Sequence, residues 1–120
     1  MKEEIYMEIY GYINHAADLE DLASQFDDLL YYHCDHIFGE VPFNKDTHAG
    51  LDLILSEAKP GDIITVATLN RLGRTVAQVI ANLRKCLSLD VKVHVIDIAL
   101  IDGSEQGKLI AKTLKSIAKL

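Results

Sequence analysis

The stretch Lys59 to Leu83, KPGDIITVATLNRLGRTVAQVIANL, admits few folds. Pro60, Gly61 and Asp62 make a turn, because proline fixes φ and glycine tolerates the bend. The β-branched run Ile63, Ile64, Thr65 and Val66 reads as a buried strand. Leu69, Asn70, Arg71, Leu72, Gly73 and Arg74 follow at its carboxyl end. Thr75 or Gly73 can then cap a helix whose apolar positions Val76, Val79, Ile80 and Leu83 recur at helical spacing. Two arginines therefore stand at a strand-to-helix corner. Ligands bind at such corners in open α/β sheets, and a helix start adds N–H groups that favour anions. Each arginine carries a permanent charge on a planar fork that matches phosphate oxygens. A phosphate site and a plain solvent-facing pair both fit the spacing.

The remaining chain supplies the strands and helices such a corner needs. Glu4 to Ile13 reads as the first, central strand, and Asn14 to Ala17 as the loop leaving it. Asp18 is the expected N-cap, with Asp21 three residues on, of a helix running to Tyr32. That helix is expected to bury Leu19, Leu22, Ala23, Phe26, Leu29 and Leu30. Asp35 to Glu40 is a short strand, Val41 to Asp46 a loop, and Ala49 to Ala58 a helix packing Leu51, Ile54 and Leu55. The last helix before the corner stops ahead of Pro60, as the residue before proline avoids the helical region. Val91 to Ile98 alternates like a strand, Ile101 to Gly107 is a loop, and Lys108 to Leu120 is a final helix. Strands alternating with helices imply an α/β fold with a mostly parallel sheet covered on both faces.

At 120 residues the chain is expected to be one domain. It has no apolar run near the roughly 18 residues that span a bilayer, so no membrane partner is expected. The acids of MKEEIYMEIY do not suit a secretory signal, and Cys34 and Cys86 lack a CxxC pairing, so a cytoplasmic location with reduced thiols is expected. Charge is unevenly placed within the net −6: residues 1–58 hold 13 acids against Lys2 and Lys45, while residues 59–120 hold ten basic residues against five acids. An acidic chain binds DNA poorly on its own, since phosphate contacts supply most non-specific affinity. YYHCDH places His33 and His36 around Cys34 and Asp35 without ordinary zinc spacing, so no metal and no cofactor is expected. Lys108, Lys112, Lys115 and Lys119 form a stripe that reads as a solvated face or as a DNA-facing one.

GDIITVATLNRLGRTVAQVIANL resembles the central block of the serine recombinases, the resolvase/invertase family, which typically reads GD-x-apolar-LDRLGR. The likeness extends over nearly the whole chain. It implies a Rossmann-like or flavodoxin-like three-layer sandwich of the resolvase catalytic-domain type. In that family the first strand ends in a Tyr-x-Arg-Val-Ser pattern whose serine attacks a DNA phosphate. The matching residues here are Tyr10, Gly11, Tyr12, Ile13 and Asn14, so the resemblance puts Tyr12 at the arginine and Asn14 at the nucleophile. THAGLDLIL puts His48 where a further arginine falls, and Asn70 stands for the aspartate of LDRLGR. Arg71 and Arg74 persist as the implied DNA-phosphate contacts. KVHVIDIALIDGSEQGKLIAKTLKSIA matches the fourth strand, its loop and the start of a long helix that dimerises the family and leads to a helix-turn-helix domain. Residues 1–120 thus read as a single resolvase-like domain with that helix truncated and the second domain missing.

A phosphoryl-enzyme intermediate needs an oxygen or sulfur nucleophile, and an amide side chain cannot serve. The sequence therefore favours a catalytically degenerate recombinase domain that acts by interaction, as a homodimer or as a heterodimer with an active recombinase. Two rivals stay open: a strand-transfer enzyme completed by a partner, with Tyr12 as a candidate hydroxyl, and a small phosphate- or nucleic-acid-binding module using Arg71 and Arg74. A phospho-receiver is weaker, because Asn14, His15 and Asn70 stand where acids are required.

Overall fold

The computed structural model describes residues 7–40 and 48–104, together with Lys108 and Lys112. Five strands form one sheet: β1 (Ile9–Ile13), β2 (His36–Gly39), β3 (Ile63–Val66), β4 (Lys92–Val95) and β5 (Ala99–Ile101), in the order β2-β1-β3-β4-β5. The first four run parallel, with Tyr10 opposite Ile64 and Ile64 opposite Val93; β5 returns antiparallel, Ile101 opposite Val93. Connecting them are α1 (Leu19–Tyr31), α2 (Ala49–Glu57), a short 3-10 turn (Leu69–Leu72) and α3 (Val76–Ser88). The middle strand is β3, not β1 as the sequence suggests. Chain order reverses between β1 and β3, so their carboxyl ends form the crevice where ligands bind in folds of this kind.

Side chains alternate across each strand and so divide the core in two. Tyr10 and Tyr12 of β1 join Ile64 and Val66 of β3, Val93 and Val95 of β4, and Leu51, Ile54, Val79 and Leu83 in one buried cluster. That cluster glues α2 and α3 to one face. Gly11 points the other way. A Cβ there would lie 2.9 Å from Leu29 Cδ1 and 3.1 Å from Cys34 Sγ, so the missing side chain lets α1 sit close on the opposite face. The Pro-Gly-Asp turn forms as expected: Gly61 has φ +94°, and the buried Asp62 carboxylate accepts from Lys59 N at 2.7 Å and Glu8 N at 3.1 Å. Thr75, rather than Gly73, caps α3 through a full capping box with Gln78.

Three expectations need correction. Leu19, Phe26 and Leu30 are exposed (74%, 43% and 50%), and Ala23 is exposed too; α1 turns Gln25 and Leu29 inward instead. The strand drawn from Val91 to Ile98 stops at Val95, where a turn closed by Ile98 N on Val95 O at 3.0 Å leads into β5. Ala99–Ile101 is therefore a strand, and the loop begins after it. Glu4 to Tyr6, Val41 to Thr47 and most of the last helix lie outside the described residues; Lys108 and Lys112 are helical and exposed.

Candidate functional site

Beside that crevice, at the carboxyl ends of β1 and β2, lies a buried chain of hydrogen bonds. Tyr12, with no exposed surface, donates its phenol hydrogen to Glu40 Oε2 at 2.5 Å. Its oxygen accepts from Asn14 Nδ2 at 3.0 Å. Strand alternation explains the pairing, since residues two apart on β1 share a face. Glu40 follows β2 directly, its own N–H donating to Ile13 O at 3.1 Å, so the parallel register carries its side chain to the same edge. There the carboxylate accepts from the first turn of α2: Gly50 N at 2.9 and 2.8 Å, and Leu51 N at 3.3 Å. Unbonded N–H groups and the helix dipole make this position favourable for an anion. A Cβ on Gly50 would come within 3.0 Å of Glu40 Oε2, so glycine is what permits the approach.

The internal carboxylate changes what the crevice can hold. An incoming phosphate would face a fixed negative charge already using the amides at the start of α2. Desolvation, aided by the hydrogen bond to Glu40, pushes the Tyr12 phenol well above its ordinary value, so Tyr12 stays neutral. A group whose folded pKa is raised stabilises the fold fully below its unfolded value and loses that contribution as pH climbs past it. For Tyr12 the loss begins at about pH 10. Denaturant midpoints between pH 9 and pH 11.5 should fall more steeply in the wild type than in Tyr12→Phe. Parallel slopes would remove the phenol from the account.

Asn14 is wholly buried, and its Oδ1 accepts from His15 N at 2.8 Å. That bond accompanies a left-handed turn at His15, φ 52°, which swings the chain from β1 toward α1. Asn14 Nδ2 also lies 3.3 Å from His15 Nε2. His48, at the N-cap of α2, makes no capping bond and meets the His15 ring edge-on at a centroid distance of 5.7 Å. Arg71 approaches from the 3-10 turn after β3. Its Nη1 donates to His15 O at 3.0 Å, and its fork grips Asp21 of α1 through Nη1 and Nη2, each at 3.2 Å.

Tyr12, Asn14, His48 and Arg71 are thus gathered around one loop. Asn70 and Arg74 are exposed and line a separate shallow groove of about 240 Å³ with Leu69, Gly73, Val76 and Val79. Asn70 accepts a hydrogen bond from the Thr68 hydroxyl, and Arg74 N donates to Gln78 Oε1 at 2.8 Å. Sequence reasoning missed Glu40, Asp21 and His15 as members of the site. An acid directly after a parallel strand was the available signal for Glu40, because that is the ligand edge of the sheet. Among the described residues no group of three or more His, Cys, Asp or Glu is arranged to hold a metal. Both cysteines are free thiols, and burial pushes Cys86 up to about 12. No helix among the described residues is long and apolar enough to cross a membrane.

Comparison with known proteins places this geometry in a wider group. Residues 9–120 match the family model described as "Resolvase, N terminal domain". The chain is 30% identical over 112 residues to the transposon Tn552 DNA-invertase BinR of Staphylococcus aureus, covering 91% of this chain and 58% of that one. It is 28% identical over 116 residues to the transposon Tn3 resolvase of Escherichia coli, covering 94% and 63%. It therefore spans about three fifths of the length of these relatives. The fold superposes on the N-terminal catalytic domain of TP901-1 integrase with a TM-score of 0.64 at 18% identity, covering 94% of this chain and 93% of that one.

Proposed function

Because this chain belongs to the resolvase family, we propose that its domain serves site-specific recombination by association rather than by chemistry. The observation that carries the reading is Asn14. It stands where the family likeness puts the nucleophile, yet it is a buried amide tied to Tyr12 and to the His15 backbone. An amide nitrogen delocalises its lone pair and forms no phosphoryl ester. Tyr12 is no substitute: its hydroxyl is buried, donates to Glu40 and resists ionisation. A neutral phenol at the place of an arginine also removes a cation that would stabilise the transferring phosphate.

The relatives are an invertase and a resolvase, and by that likeness the partner is a second copy of this domain or an active recombinase. Sedimentation velocity of the protein alone, and mixed with a full-length resolvase, tests this. Self-association, or a faster boundary containing both chains, is the expected result. A monomer that leaves the resolvase boundary unchanged would contradict it.

A further inference from the structure

We propose that Asp21 is a built-in competitor for phosphate, an autoinhibitory contact that closes Arg71 to DNA while α1 is in place. This rests on the reading above that the domain serves recombination without chemistry of its own. It adds a gate to the implied arginine–phosphate contact.

Arg71 and Asp21 are 50 residues apart, and their side chains are only 13% and 25% exposed. The pair lies beside the loop leaving β1, because the same Nη1 also holds His15 O. Asp21 presents two carboxylate oxygens to the two terminal nitrogens, the pattern a phosphodiester would offer. Its carboxylate is anchored by Ala17 N at 2.9 Å and stands in the first turn of α1, where the helix dipole favours an anion. The Ala17 bond, ahead of the attraction of Arg71, holds the Asp21 carboxyl below its ordinary range, so the competitor stays charged.

The grip is nonetheless loose. Both bonds measure 3.2 Å, longer than the roughly 2.7–2.9 Å of a close charge-assisted pair. Arg71 Nε is buried with no hydrogen-bond partner among the described residues, so that donor is unspent. A phosphate that satisfied it would outbid the carboxylate once α1 shifts or the charge is removed.

Fluorescence anisotropy of a short labelled DNA duplex, titrated at two salt concentrations, tests the gate. Asp21→Asn keeps an acceptor for Ala17 N while removing the charge; Asp21→Ser serves if that variant does not fold. Asp21→Asn should bind about tenfold tighter than wild type, with a salt slope steeper by about one, as for one added phosphate contact. Asp27→Asn, the same charge change at an exposed position of α1, should alter affinity less than about twofold. Adding Arg71→Gln to Asp21→Asn should abolish the gain. The gate is overturned if Asp21→Asn binds no better than Asp27→Asn, or if the gain survives loss of Arg71. Denaturing gels of the same mixtures separate the two readings. A gain with a covalent adduct keeps the gate and ends the claim of inertness, whereas neither gain nor adduct removes the gate alone.

Discussion

Glu40→Ala is expected to destabilise the fold on the order of 4 kcal/mol, since each buried donor left without its acceptor costs about 1–3 kcal/mol. Three donors lose theirs together: the Tyr12 hydroxyl and the amides of Gly50 and Leu51. The costs do not simply add, because water entering the vacated space would serve part of the set. Against a typical total of about 5–15 kcal/mol the loss is still large. Glu40→Gln retains one acceptor and should cost about half as much. Tyr12→Phe, which takes one partner each from the Asn14 amide and the Glu40 carboxylate and leaves both their other contacts, should fall near 1–2 kcal/mol. Urea denaturation of the three variants checks the order. If Glu40→Ala stayed within about 1 kcal/mol of wild type, the carboxylate would not be what joins β2, β1 and α2 at this edge.

The parts of the fold that could be read ahead are those where local chemistry and tertiary packing agree. Ile63–Val66 is β-branched and flanked by strands on both sides, so its apolar run and its burial coincide. Thr75 and Gln78 carry the start of α3 in four residues. Helix α1 shows where such agreement ends. Leu19, Ala23, Phe26 and Leu30 form one apolar arc and Leu22, Gln25 and Leu29 the neighbouring arc, and periodicity alone does not say which meets the sheet. Tertiary packing chose the arc containing a glutamine. Strand β5 was hidden because three residues after a turn look like a continuation of β4.

The site divides along the same line. Tyr12, Asn14, His48 and Arg71 could be placed from motif likeness, and the structure brings them to one loop. Glu40 and Asp21, which decide how that loop works electrostatically, bond to partners 28 and 50 residues distant. No window of neighbouring residues contains those pairs. Arg71 and Arg74 are three apart in sequence, yet one is drawn inward by Asp21 and the other lines an exposed groove. Two arginines at one corner therefore have different surroundings.

Nothing tests inertness more directly than a search for protein–DNA ester on this chain. The protein would be incubated with supercoiled DNA carrying the recombination site of an active resolvase, with and without that resolvase, then denatured, nuclease-trimmed and analysed by mass spectrometry. With Asn14 a buried amide and Tyr12 kept neutral by burial and by its hydrogen bond to Glu40, the wild type and Tyr12→Phe should both carry no nucleotide, while the active resolvase in the same tube acquires one on its serine. A nucleotide mapped to any residue of this chain would contradict the account.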